Sequence, residues 1–412
     1  MLMRFELQKL YSKRSNLIVL LLLLALIGYS SYQAIRSVEW VDTQGNWETG
    51  YSAAQKLRQA RGRWSGTLNQ EMLEKGLETL KEIYSSAEAQ SSNIEENWVI
   101  RNQLQGVGEI ADLLSWSYAE AYGSFEKMVS ELQSEDLWDF YANRTEERKE
   151  WLYDKSSWAY YNYTEQEKQY ILKQYETMEV PLQLSYHEGW VQANDQLPSL
   201  LKYSIILLSF LLAGIFSDEF TLKTAAVYYN TVHGRTKATA AKIALGFLAI
   251  TAVYWISVGI YSIVVLGVLG TDGATCLIQS HSGYWFLWEN MTFLQKYLLS
   301  LAAGYIGYLF IGFLVMWISA KTKSSVLAVL IPSLVILLPE YLGVDHSSLM
   351  FYAIGILPDR LLDFSGALSY LVLYPIGNHI LTSWTIILTV YPYITMLLSF
   401  LCYREYRHKQ IA

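Results

Sequence analysis

The chain has 412 residues, of which 52% are hydrophobic and only 17% charged, with a mean hydropathy of +0.17. An ordinary soluble domain does not need so many apolar runs, so composition points away from a purely soluble fold. The net charge of −7 is unevenly spread: residues 37–197 hold 28 Asp and Glu against 14 Lys and Arg, leaving that segment at −14 and the rest at +7. Cys276 and Cys402, the only cysteines, fall on opposite faces of the expected membrane topology, which excludes a disulfide framework and a cysteine-based metal site.

Residues 3–14 read as a short amphipathic helix, with Met3, Leu7, Leu10 and Tyr11 at helical spacing and Arg4, Lys9, Lys13 and Arg14 on the other side. Such a helix can lie at the inner membrane surface, with a solvated basic N-terminus flanking a span as the alternative. A first span follows over Leu17–Ile35. A cleaved signal peptide is the alternative, but the run is long enough to cross if Tyr29 and Tyr32 sit in the interface. From Ser37 to Gln196 nothing is apolar enough to cross, and helical periodicity dominates. Leu73, Leu77, Leu80 and Tyr84 mark one helix starting near Asn69, a second is expected over Val107–Leu132, and Thr164-x-x-Glu167 is a capping box opening a third. No period-2 stretch is long enough for a sheet. Nine of the 14 tryptophans lie here, clustered most densely at Trp158–Tyr163. Large rings filling a core, or resting on the bilayer, explain them more simply than a surface that grips a ligand.

A second span is expected over Leu197–Phe216, with Pro198 in its first turn, and a third over Ile243–Gly270. Between them lies the polar, basic stretch 217–242, with Glu219-Phe220-Thr221-Leu222-Lys223 followed by Arg235-Thr236-Lys237 and Lys242. This pattern resembles the membrane subunits of ABC-2 type ABC exporters, although the glycine that family carries in the first turn is absent. One span, a large insert and five further spans is the layout of the subgroup with a bulky domain after the first helix. The resemblance implies that a short helix around Thr221–Val232 docks into a groove on a cytoplasmic ATPase, with Asp218, Glu219, Lys223, Tyr228, Tyr229 and Arg235 as the contact residues. A helix lying on anionic headgroups is the alternative.

The loop Thr271–Thr292 has no Lys or Arg, and its Trp285 and Trp288 suit the outer interface. A fourth span is expected over Phe293–Ala320 and a fifth over Ser325–Tyr341. Residues 344–381 are broken by Pro358-Asp359-Arg360, Asp363 and Pro375 into pieces too short to cross. They are read as two short re-entrant helices in the outer leaflet, as the resemblance also implies, before a sixth span over Leu381–Tyr403. Asp359 or Asp363 pairing with Arg360 would form an outer gate, or contact substrate or ion.

The expected fold is therefore an all-α membrane protein with six transmembrane helices, a mostly helical extracytoplasmic domain between helices 1 and 2, and re-entrant outer helices between helices 5 and 6. Its parts are 1–36, 37–197 and 198–412. Basic residues concentrate on one side of this topology, placing both termini in the cytoplasm of a bacterial cell and the domain outside. There is no phosphate-binding Gly-rich loop, no nucleophile elbow and no His-Glu-x-x-His, and the six histidines are scattered, so no enzyme reading has an anchor. The chain itself is expected to carry no metal or cofactor; the resemblance puts ATP and Mg on two partner ATPase chains, beside a second permease subunit. No nucleic-acid partner is indicated. The expected activity is export of an amphipathic or cationic peptide, or a similar hydrophobic cargo. A membrane receptor or sensor, or a secondary transporter, is the alternative.

Overall fold

The computed structural model describes residues 6, 8–9, 13–89, 94–231, 233–342, 349–370, 372–377 and 379–408, with the side chains of residues 94–96 and 228 left aside. The chain is mostly helical, and five of its helices are long and apolar enough to cross a membrane. These are α1 (Arg14–Arg36), α9 (Glu188–Thr221), α11 (Lys237–Leu269), α12 (Phe293–Thr322) and α17 (Ser383–Arg407). Between α1 and α9 come α2 (Tyr51–Gly62), α3 (Gln70–Ser85), α4 (Ile94–Tyr122), α5 (Phe125–Glu131), α6 (Phe140–Tyr153), α7 (Trp158–Asn162) and α8 (Glu165–Glu176). The rest are α10 (Ala225–Asn230), α13 (Ser325–Leu337), α14 (Leu349–Gly355), α15 (Asp359–Leu362) and α16 (Phe364–Ser369).

At the centre of the bundle α9 packs on α12, and each also touches α11 and α13. Glycines on α12 permit the close approach: a methyl at Gly304 would come within 2.6 Å of Leu201, and one at Gly312 within 3.3 Å of Leu212. Ser319 reinforces the contact by donating to the Ala213 carbonyl at 2.6 Å. By length there is one span fewer than expected. The expected fifth is the 13-residue α13, which contains Pro332 and tightens at Pro339 into a 3-10 turn over Leu338–Tyr341. A full crossing takes about 20 residues.

In the domain, Leu73, Leu77 and Leu80 of α3 and Val107, Ile110 and Leu114 of α4 belong to one core. The expected boundaries at Asn69 and Thr164 hold: Asn69 caps α3, and Thr164 with Glu167 forms the capping box of α8. The helix expected over Val107–Leu132 instead divides at Gly123, whose φ of +78° suits glycine, and restarts under a Ser124 cap. Three short two-stranded ladders also occur, pairing β1 (Glu39–Val41) with β2 (Trp47–Thr49), β3 (Gly66–Thr67) with β4 (Gln183–Leu184), and β5 (Leu373–Ile376) with β6 (His379–Thr382).

Three further expectations change. The domain does not end at 197, because α9 runs without a break from the domain into the bundle and carries Pro198 in its interior rather than its first turn. Trp285 and Trp288 are buried in protein, not lodged at a lipid interface. Trp285 joins the α3–α4 core with its ring 5.1 Å from that of Phe140, and the buried Arg144 donates to the carbonyls of Trp285 and Leu287 at 2.6 and 2.7 Å. The loop 271–292 is thereby part of the domain. Finally, the region expected as a re-entrant helix pair holds α14, α15 and α16 and then the β5–β6 hairpin, where Pro375 and Gly377 (φ +61°) oppose helix. Leu373 of this hairpin packs in a third cluster with Tyr163 and Trp288, so Trp158 and Tyr163 of the aromatic stretch 158–163 serve a core while Tyr161 is exposed. Of the expected helix over residues 3–14, residues 6, 8 and 9 are helical; most of the remainder lies outside the described residues.

Candidate functional site

Charged side chains gather at three places, one at the end of the bundle distal to the domain, one within its domain-side half, and one at the seam between domain and bundle.

At the distal end, Glu219 in the last turn of α9 faces inward and is only 2% exposed. Lys242, one turn into α11 and equally buried, donates to Glu219 Oε1 at 2.8 Å and to the Ile215 carbonyl at 2.6 Å. Lys9 donates to the same carboxylate oxygen at 2.7 Å, Tyr406 of α17 to the other at 3.4 Å, and Glu6 lies 3.4 Å from Lys242. Lys13 pairs with Asp218. The N-terminal segment, α9, α11 and α17 are therefore joined through one buried carboxylate.

This corrects the expected contact set. Glu219 is turned into the chain and cannot offer its carboxylate to a partner, and Tyr229 is also buried, with its ring 5.3 Å from that of Tyr406 and its hydroxyl 3.2 Å from the Tyr406 carbonyl. Asp218 is half-buried in its ion pair. Lys223 (φ +56°) and Arg235 are exposed, and Arg235 lies over the Tyr229 ring at 4.8 Å. The side chain of Tyr228 and the whole of Val232 lie outside the described residues. Within the expected short helix lies α10, six residues long, with Val227 exposed on it and Leu222 exposed ahead of it.

In the domain-side half, Lys202 forms an ion pair with Glu340 and lies 3.8 Å from Asp363. Asp359 lies 3.8 Å from Arg360, whose guanidinium sits 4.3 Å from the centre of the Tyr370 ring. Arg360 thus meets Asp359 rather than Asp363, which instead caps α16 through the Gly366 amide at 2.8 Å. Asp359 Oδ1 and Arg360 Nε are buried without a hydrogen-bond partner among the described residues. Cavities of about 460 and 320 Å³ share Lys202, Glu340 and Asp363 in their walls. The pair was findable in the sequence: Lys202 and Glu340 are the lone charges in their apolar runs, and such charges find partners.

At the seam, Glu109 of α4, His187 just before α9 and His281 of the α11–α12 loop bring their ligating atoms within 4.8 Å of one another. Two of the scattered histidines thus meet. Arg61 of α2 reaches Glu109 at 2.9 Å and Glu188 at 2.8 Å. Burial opposes the charge of Glu109 most strongly, but Arg61 together with His187 and His281 outweighs it and holds the carboxyl well below the usual carboxylate range. Burial, and the charge of Glu109, push the carboxyl of nearby Asp112 up.

Compared with known protein families, curated proteins and solved structures, the chain matches none.

Proposed function

We propose that the chain is the membrane-spanning permease subunit of an ATP-driven exporter of the ABC-2 type. In this reading it sits in a bacterial plasma membrane with both termini cytoplasmic and the domain outside, and α13 with its 3-10 extension serves as a sixth, thinned span. Two ATPase chains carrying ATP and Mg bind the distal end, and a second permease subunit completes the pathway. The cargo is an amphipathic or cationic peptide, drawn to the acidic domain by long-range attraction.

One observation carries the reading: a six-residue helix hangs between two spans, with an apolar exposed side and a side packed on a third span. Because Glu219 ties α9 to α11 and α17, a push on α10 is delivered to all three together. The basic residues Lys9, Lys13, Lys223, Arg235, Lys237, Lys321, Lys323, Arg404 and Arg407 all lie toward this end, as the charge rule asks of a cytoplasmic face. With Glu219 and Tyr229 inside, the docking surface reduces to Leu222, Lys223, Val227 and Arg235.

The Lys202–Glu340–Asp363 cluster favours a second reading, a secondary transporter driven by an ion. Purification of the tagged full chain from its native membranes in mild detergent separates the two. The exporter reading expects a co-purifying ATPase that Val227→Asp releases while melting temperature stays put, since an exposed substitution costs under about 0.5 kcal/mol. A chain that purifies alone in several detergents, yet moves substrate without ATP, would sink it.

A further inference from the structure

We infer that Glu109, His187 and His281 form a binding site for a divalent transition-metal ion, best suited to Zn(II), that ties the domain to the bundle. The inference is independent of the transport reading.

The tautomer of His187 is the starting point. Its Nδ1 lies 2.8 Å from the Ser185 carbonyl oxygen, which can only accept, so Nδ1 carries the hydrogen. In the neutral ring Nε2 then presents a lone pair. That atom is buried, has no hydrogen-bond partner among the described residues, and faces Glu109 Oε1 at 3.5 Å, another acceptor. Two acceptors turned toward each other in a side chain only 1% exposed are reconciled either by a metal cation between them or by a second proton on His187, and the geometry around them favours the metal. A backbone carbonyl fixing one imidazole nitrogen while the other points into a site is the arrangement found behind metal-binding histidines.

The distances agree. His281 Nδ1 lies 3.3 Å from Glu109 Oε1, close to the 3.5 Å separation at His187. A tetrahedral Zn(II) with bonds of about 2.0–2.1 Å has edges of about 3.3 Å between its ligand atoms. Two imidazoles and one carboxylate are borderline donors that suit Zn(II), whereas Ca(II) and Mg(II) want oxygen throughout. A cavity of about 20 Å³ beside Glu109 and His187 has room for one water.

Charge also agrees. Arg61 is shared between Glu109 and Glu188, so one negative charge remains uncompensated when both imidazoles are neutral. Asp112 adds another nearby, 3.4 Å from the Ser282 hydroxyl. Entry is from the His281 side, whose side chain is 24% exposed. Because the three donors come from α4, the lead into α9 and the α11–α12 loop, a bound ion closes the seam at three points.

The test uses the full chain, purified in detergent with a tag free of histidine, stripped with chelator and then titrated with ZnCl2 and separately with CoCl2. The expected result is one equivalent of Zn(II) per chain, with affinity falling at least tenfold (~10-fold or more) in His281→Ala and unchanged in His408→Ala, an exposed histidine at the distal end. Should His281→Ala fail to fold, the Co(II) form of the unaltered chain decides: a visible ligand-field band of four-coordinate intensity supports the site. Zinc at no more than trace stoichiometry, a Co(II) spectrum of the hydrated ion, or equal affinity in a folded His281→Ala would overturn it and leave a protonated His187 facing Glu109.

Discussion

The two ends of the bundle are held by different physics. At the distal end four segments meet on one buried carboxylate, Glu219, whose partners are Lys9, Lys242 and Tyr406. At the domain-side end, beside the Arg61–Glu109–Glu188 cluster, most of the seam is rings and backbone: Trp285 in the domain core, Arg144 on two carbonyls, and the Tyr163 and Trp288 cluster under the β5–β6 hairpin. An ion network fails when one member is lost, because the others stay buried and unpaired. A seam of apolar area loses stability in proportion to the surface removed. The distal end is built to act as a unit, and the domain-side end to stay closed.

The largest expected effect tests the first half of that contrast. Glu219→Leu strands Lys242 and Lys9 and should cost about 3–5 kcal/mol, read as a drop in detergent melting temperature. The double variant Glu219→Leu/Lys242→Met should recover part of that loss; if the two costs simply add, the network is not a unit.

The second prediction probes the seam through Glu289, whose Oε2 is buried without a partner among the described residues. Burial pushes its carboxyl up to about 7 from 4.5. The folded chain therefore binds this proton more tightly than the unfolded chain. Its contribution is fully present below about pH 4.5 and is lost as pH rises through about 7, a change of about 3 kcal/mol. Glu289→Gln should remove that loss, so melting curves of the two proteins should diverge between about pH 5 and about pH 8, with the variant the more stable at the upper end. Parallel curves would mean that the carboxylate is solvated.

The smallest effects compare two glycines. In Gly189→Ala the new methyl overlaps the Gly270 carbonyl oxygen, and backbone must move; about 1–3 kcal/mol is expected. In Gly246→Ala the obstacle is the flexible end of Met316, which can give way, so the cost should be under about 1 kcal/mol. Equal costs would erase the distinction between a rigid seam and a yielding bundle.

What the sequence made legible followed from local rules. Apolar runs marked the long spans, and Asn69 and Thr164 marked their helix starts, because hydropathy and capping act within a few residues. The charge asymmetry and the turn at Glu219–Lys223 drew attention to the loop that carries Glu219 and Lys242. The inward turn of Glu219 was not legible, since it depends on Lys9 and Tyr406 arriving from opposite ends of the chain. The same holds for His187 and His281, and for Trp285, whose aromatic character fits a lipid interface as well as a core. Tertiary pairing decided each case. The β5–β6 hairpin was missed for a different reason: Pro375 and Gly377 announced a break in helix, but four-residue strands leave no periodic signal.

One helix gives the molecule a mechanical property. With 34 residues, α9 is a rod about 51 Å long that begins in the domain beside His187 and carries Glu219 in its last turn. A tilt of about 5° at one end moves the other by about 4 Å over that length. Whatever leans on the domain is thus felt at the opposite end without any intermediate wiring, and the reverse is equally true. The rod has one joint: Pro198 offers no amide to the carbonyl of Asn194, a turn below the domain. Stiffening or loosening that joint sets how much leverage the domain holds over everything beneath it.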